Sequence, residues 1–311
     1  MMNDTIGVDI SKDHLDAVRQ SDGACRRFAN DRTGHRAFIG WLGCADLRIV
    51  YEPAGPYHRR FEQRLADAGY RLVKVNPRQA RRFAEATGKP AKTDRLDAAM
   101  LARMGALLEL EPRPVRSPVL NTLKDLLMAR EALMKSRTAA KNRAKTLTLS
   151  LLKRHNAAQL RQIERQMAAI ETEIMALIKA DPDFAARFAI LVSIPGVSTI
   201  TAFVLLIDMP ELGTLTDRQV AALVGVAPVA RQSGKWTGRA FIRGGRANVR
   251  QALYMPALVA TRYNPDLKAK YEQLTNAGKP AKLAITAIMR KLIVLANALV
   301  RDNRKWQPIN A

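Results

Sequence analysis

The chain has 311 residues, 48% of them hydrophobic, and carries 51 lysines and arginines against 28 aspartates and glutamates, a formal net charge of +23. That apolar content supports more than one core and excludes a disordered tail, while a basic excess spread along the chain points to a polyanionic partner, nucleic acid first among them. Cys25 and Cys44 lack CxxC spacing and the four histidines (His14, His35, His58, His155) are scattered, which excludes a disulfide scaffold and a zinc-ligand array.

The opening MMNDTIGVDI lacks the layout of a secretory signal, and no apolar run reaches the roughly 18 residues of a spanning helix, so a cytoplasmic chain with no membrane partner is expected. TIGVDI, LDAVRQ and ACRRFA then read as three short strands in a meander, followed by a helix through HRAFIGWL. LRIVYE, an amphipathic stretch over 57–68 and YRLVKVN continue the pattern. Strands in a meander that give way to strands alternating with helices predict a mixed sheet with helices on its faces, an α/β domain. A helix is expected over 94–110, and EPRPVRSP, with three prolines, closes the domain.

Residues 119–180 hold neither proline nor glycine, and two long helices joined near 154–158 are expected. Leu160, Ile163, Met167, Ile170, Ile174 and Leu177 alternate spacings of three and four, a heptad seam that fits an intramolecular hairpin and a dimer contact equally well. Lys135, Arg137, Lys141, Arg143 and Lys145 give the first helix a basic face, either solvated or laid along phosphates. After DPDF, the Pro-Gly turn in LVSIPGVSTITAFVLLIDM has the layout of a helix-hairpin-helix, in which the amides around Gly196 could hold a backbone phosphate. RQSGKWTGRAFIRGGR follows as a loop rich in glycine and arginine, and NVRQALYMPALVATRY and LAITAIMRKLIVLANALV are helical.

In so basic a chain, acids at the ends of apolar strands stand out. Asp9 ends TIGVD and Glu52 ends RIVYE, while Asp94 and Asp97 in KTDRLDA share one face at the start of a helix. Four carboxylates so placed can hold two divalent cations, magnesium or manganese, of the kind that stabilise attacking and leaving oxygens in phosphoryl transfer. The alternative makes Asp94 an N-cap and Asp97 a first-turn carboxylate favoured by the helix dipole. A second copy of GKPAK, at 278–282, leads into a helix that needs no acid to start, which favours chemistry at 94 and 97.

GVDISKDHLDAV, YEPAGPYHRRFEQRLADAGY, VNPRQARRFAEATGKPAKTDRLDAAMLARM, IPGV and APVARQSG together, in this order, resemble the bacterial insertion-sequence transposases with an Asp-Glu-Asp-Asp (DEDD) amino-terminal domain, the bridge-RNA-guided recombinases. The resemblance implies a ribonuclease H-like (RuvC-like) domain over 1–112, coiled-coil helices over 113–182 and a mostly helical transposase domain over 183–311. Asp9, Glu52, Asp94 and Asp97 match the four acids. It also implies dimers assembling to tetramers, and a structured non-coding RNA that pairs with donor and target DNA.

Ser233 has no histidine near it in sequence, so a protease-like triad finds no local support. Arg231, Lys235, Arg239, Arg243 and Arg246 instead suit charge growing on phosphate oxygens. Residue chemistry alone favours a phosphate clamp there, whereas the resemblance implies a nucleophilic serine that forms a phosphoserine link to DNA. Many members carry a doubled serine where Gln232 and Ser233 stand, which leaves Ser233 as the single choice and Thr237 as the alternative.

Overall fold

A computed structural model describes residues 4–43, 46–88, 93–108, 110–112, 114–234 and 236–308, with Arg239 described by its backbone alone. Cys44, Lys235 and most of the first GKPAK copy lie outside these residues. The chain forms two compact units, Met1–Arg116 and Ser117–Ala311.

In the first unit, β1 (Thr5–Ile10), β2 (His14–Arg19) and β3 (Cys25–Ala29) form the expected antiparallel meander. Helix α1 (Arg32–Leu42) starts three residues earlier than HRAFIGWL, because Asp31 caps it by accepting the Gly34 N–H at 2.8 Å. β4 (Arg48–Tyr51) runs parallel to β1, α2 spans His58–Asp67, and β5 (Arg71–Lys74) lies parallel to β4. The five-stranded mixed sheet has the order β3-β2-β1-β4-β5. This order, with helices on both faces, is consistent with the ribonuclease H-like expectation.

Helix α3 (Pro77–Ala86) was not foreseen in NPRQARRFAEA, although Asn76 caps it and Pro77 sits at its first turn. Helix α4 (Asp94–Leu107) crosses β1. Alternation along the strands sorts the cores: Ile6, Val8, Ile10, Ile49 and Tyr51 pack toward α1 and α2, while Val50 and Val73 pack toward α3 and α4. Gly7 lies beneath α4, and a Cβ there would overlap the Ala98 carbonyl and the Ala102 amide, so glycine lets helix and strand touch.

The second unit is mostly helical. α5 (Pro118–Ala144) and α6 (Ser150–Ala180) form an antiparallel hairpin whose turn falls at 145–149, earlier than the expected 154–158. Asn156, within the stretch expected to join the helices, is instead buried in α6 and donates to the Ala140 carbonyl at 3.1 Å. Arg130–Glu171 (2.7 Å) and Arg137–Glu164 (3.1 Å) rung the hairpin, so Arg137 is committed to it. Of the heptad seam, Ile163, Met167 and Ile174 are buried, while Leu160, Ile170 and Leu177 are half-buried.

Beyond it come α7 (Pro182–Val192), α8 (Thr199–Asp208) and α9 (Asp217–Val224), then a hairpin of β6 (Pro228–Ser233) and β7 (Trp236–Ile242). The chain continues with α10 (Ala247–Ala252), α11 (Tyr254–Tyr263), α12 (Pro265–Asn276) and α13 (Ala281–Arg301). One large core joins the base of the α5–α6 hairpin to α8, α9 and α13.

α13 corrects one expectation, since at 21 residues and mean hydropathy 1.9 it is long and apolar enough to cross a membrane. Half of its apolar window is buried, and Asn297 inside it accepts the Gly213 N–H at 2.8 Å and donates to the Leu215 carbonyl at 2.7 Å, the behaviour of a core helix.

Candidate functional site

The register of β1 and β4 pairs Val8 with Tyr51, so Asp9 and Glu52 stand one step further on, at adjacent strand ends. Since Val8 and Tyr51 pack toward α1 and α2, alternation turns Asp9 and Glu52 to the opposite face, where α4 lies. Thr93, rather than Asp94, caps α4 by accepting the Leu96 N–H at 3.3 Å. Asp94 and Asp97 therefore sit in the first turn without serving as the cap.

Asp9 registers this company: burial first, then Asp97, Asp94, Glu52 and Asp16, push its carboxyl up to about 6. Asp16 is a fifth acid that sequence reasoning missed. It stands directly across from Asp9 on β2, is buried on the same sheet face, and accepts Arg27 in a bidentate pair at 2.9 and 3.0 Å. Arg27 also reaches Asp94 at 3.3 Å. The signal was present in HLDAVR, where an acid alternates with Leu15 and Ala17 in a strand with no reason to hide a charge.

Whether these residues suit a metal can be read from the donor set. It is all oxygen, the preference of hard divalent cations, and Asp9's raised pKa marks a cluster short of positive charge. The carboxylates surround one another at electrostatic rather than ligating range, since no three acidic, histidine or cysteine side chains among the described residues group closely enough to hold an ion. The residues thus fit a divalent cation in the kind of donor they offer, while their side chains are not gathered at ligating distance.

Behind β4, on the α1–α2 face, lies a second polar group that was also missed. Glu62 is buried and accepts from Tyr51 Oη and Lys74 Nζ, and lies 3.6 Å from His58 Nε2. Burial and then Glu62 raise the Tyr51 hydroxyl's pKa, while burial and then Lys74 lower that of His58. Through Tyr51, this buried group centred on Glu62 pins the strand whose next residue is Glu52.

In the second unit, the expected glycine-arginine loop is a β-hairpin. Ser233 pairs with Trp236 at its tip and is exposed, with Thr237 opposite Gln232 on the other face. Arg231 is exposed and stacks its guanidinium 5.0 Å from the Phe241 ring centre, and Arg243 is exposed near the hairpin base. Arg239 lies in β7.

Arg246 is committed to the fold and is not a free phosphate ligand: it grips Glu211 with two 2.7 Å bonds and donates to the Asp208 carbonyl at 2.6 Å. The Asp208 side chain is itself buried, accepting from Lys124 Nζ and Asn248 Nδ2. Gly196 forms the Pro-Gly turn between α7 and α8 at φ 99°, and a Cβ there would press on the Pro256 carbonyl at 2.7 Å. Packing against α11 is sufficient reason for that glycine.

Two family models match this chain. A DEDD transposase model of the IS110 type covers residues 6–153, the stretch holding all four acids, and a model described as transposase IS116/IS110/IS902 family covers 188–272, the stretch holding Ser233. The chain belongs to the IS110/IS116 family of DEDD transposases. The family assignment makes it a transposase or recombinase, an enzyme that acts on DNA.

Among curated family relatives, the pilin gene-inverting protein of Moraxella bovis is 28% identical over 97% of both chains, and that of Moraxella lacunata matches equally. An uncharacterised 43.6 kDa protein of insertion element IS110 from Streptomyces coelicolor is 30% identical over 52% of this chain and 40% of its own length.

Proposed function

We propose that this transposase cuts and rejoins donor and target DNA through a phosphoserine link at Ser233, with Asp9, Glu52, Asp94 and Asp97 holding Mg2+ or Mn2+ and a structured element RNA choosing the DNA. The observation that carries the reading is the crowding of Asp9 by Asp97, Asp94, Glu52 and Asp16. A protein that carries +23 overall gains nothing in nucleic-acid affinity from concentrating acids at one end of its sheet, unless those acids bind cations. A divalent cation held there would neutralise charge on the phosphate oxygens.

Ser233 supplies the nucleophile. Its exposed Oγ attacks the scissile phosphorus, the Oγ–P bond forms as the bond to the departing sugar oxygen breaks, and that oxygen takes up a proton. A hydroxyl of the incoming strand then attacks the phosphoserine, the new phosphodiester forms, and the serine regains its proton. The bond energy is kept for rejoining, as recombination requires. The exposed Arg231 and Arg243 hold flanking phosphates, joined by Arg239 of β7 and by Lys235, which lies outside the described residues; Gly196 adds a backbone amide. In this reading Thr237 faces away from the nucleophile. The enzyme works in the cytoplasm as a homodimer assembling to a tetramer, and the gene inversion named for the Moraxella relatives is chemistry of the same cut-and-rejoin kind.

The deciding experiment incubates the protein with element RNA, labelled donor and target DNA and magnesium, and resolves the products on a denaturing protein gel. Wild type should show a labelled protein band that both Ser233→Ala and Asp9→Ala lose. Cleavage without attached protein, persisting in Ser233→Ala, would leave a metal-dependent, structure-selective nuclease instead.

A further inference from the structure

We propose that the cleft between α1 and α2 is a nucleic-acid backbone site, where Arg32, Arg60 and Arg64 hold a phosphodiester other than the one being cut. The cleft has a volume of about 540 Å³ and is lined by these three arginines together with Asn30, His35 and Gln63. Arg60 and Arg64 stand one turn apart on α2, an arrangement that costs repulsion unless an anion lies between them. Among the described residues none of the three guanidinium groups is in an ion pair.

Two acids border the cleft and both are engaged, Asp31 as the cap of α1 and Asp67 as acceptor from Gln63 Nε2 at 2.9 Å. The arginine field converges on the floor: burial first, then Arg64, with a smaller part from Arg60 and against Asp31, lowers the pKa of buried His35. Guanidinium forks match phosphate oxygens, and three converging on one open cleft suit a strand passing across it better than a closed small-molecule site.

The floor also links this cleft to the acidic centre. Asn30 bonds His35 Nε2 at 2.8 Å through Oδ1, and its Nδ2 donates to the Ser11 carbonyl at 2.8 Å and the Tyr57 carbonyl at 3.3 Å. Ser11 lies two residues beyond Asp9, and Tyr57 five beyond Glu52. The arginines and the acids thus flank the C-terminal ends of the parallel strands β1 and β4 from opposite faces of the sheet. A strand lying over those ends places one phosphate at the acids and another in the cleft.

The inference rests on the chain acting on nucleic acid and does not depend on Ser233 or the acids as catalysts, so it is tested by binding in chelator, where failure of the catalytic reading has no effect. Fluorescence anisotropy with labelled duplex DNA and, separately, labelled element RNA is measured across a range of salt. R60A/R64A should reduce the slope of log K against log salt by about 1 to 2 for at least one of them and weaken binding about tenfold at fixed salt. The nucleic acid that responds identifies the strand held.

R60K/R64K should restore the slope, and R60E/R64E should bind more weakly still, all at unchanged melting temperature. R78A/R82A, which removes the same charge from exposed positions on α3, is the control. Unchanged slopes for both nucleic acids, or an equal loss in the control, would overturn the site.

Discussion

Asp9 concentrates the electrostatics of the acidic centre in one side chain. Its carboxyl titrates near 6 in the folded chain against 3.8 ordinarily, so between roughly pH 4 and 6 the folded state holds a proton that the unfolded state has released. Linkage then makes stability fall as pH rises through that window, with the loss complete above it. In chelator, Asp9→Asn should abolish this fall and stabilise the protein at pH 7 by on the order of 1 kcal/mol, screening of a partly exposed group allowed for. Urea unfolding of the two proteins at several pH values measures it, and a variant that loses stability at pH 7 would contradict the crowding.

Arg27 is the counterpart, an intramolecular cation bonded to Asp16 and Asp94. Arg27→Gln should lower the melting temperature in chelator, and magnesium should raise it more in the variant than in wild type. Equal magnesium shifts would remove Arg27 from the cluster's charge balance.

At the scale of elements, the approach of α4 to β1 is what brings Asp94 and Asp97 near Asp9, and Gly7 permits it. Gly7→Ala should cost about 1–3 kcal/mol by overpacking, and by lifting α4 it should also shrink the pH 4–6 fall in stability that Asp9 produces. Gly40, in α1 with open space where a Cβ would go, is the comparison, and Gly40→Ala should be neutral or stabilising by about 0.5–1 kcal/mol. Urea midpoints of both variants check the contrast. The strands here were legible because short β-branched and apolar runs bounded by turns need only local information, as in TIGVDI and RIVYE. The hairpin turn at 145–149 was not, because what carries α6 on through 154–158 includes the bond of Asn156 to the Ala140 carbonyl across the hairpin, a contact between segments distant in sequence. The serine stretch read as a loop because its hairpin strands are exposed and carry no apolar alternation.

For the whole molecule, α13 shows how far a linear reading carries. By composition it passes for a membrane span, but its buried stripe and Asn297 tie it to Gly213 and Leu215. Asn297→Leu, which leaves both backbone groups unpaired, should lower stability by about 1–3 kcal/mol in urea unfolding. A helix held only by apolar contact would be indifferent to the change.

The sequence by itself determined the strand order of the first unit and its helices apart from α3, the helical character of the second, the basic charge and the four acids that stand out against it, because each depends on neighbours in the chain. Only the tertiary structure decided that the acids share the α4 face, that Asp16 and Arg27 join them, that Arg246 is bound to Glu211, and that Arg32, Arg60 and Arg64 line one cleft. Burial and charge pairing between elements distant in sequence are set by packing, and packing leaves no mark on any one stretch of the chain.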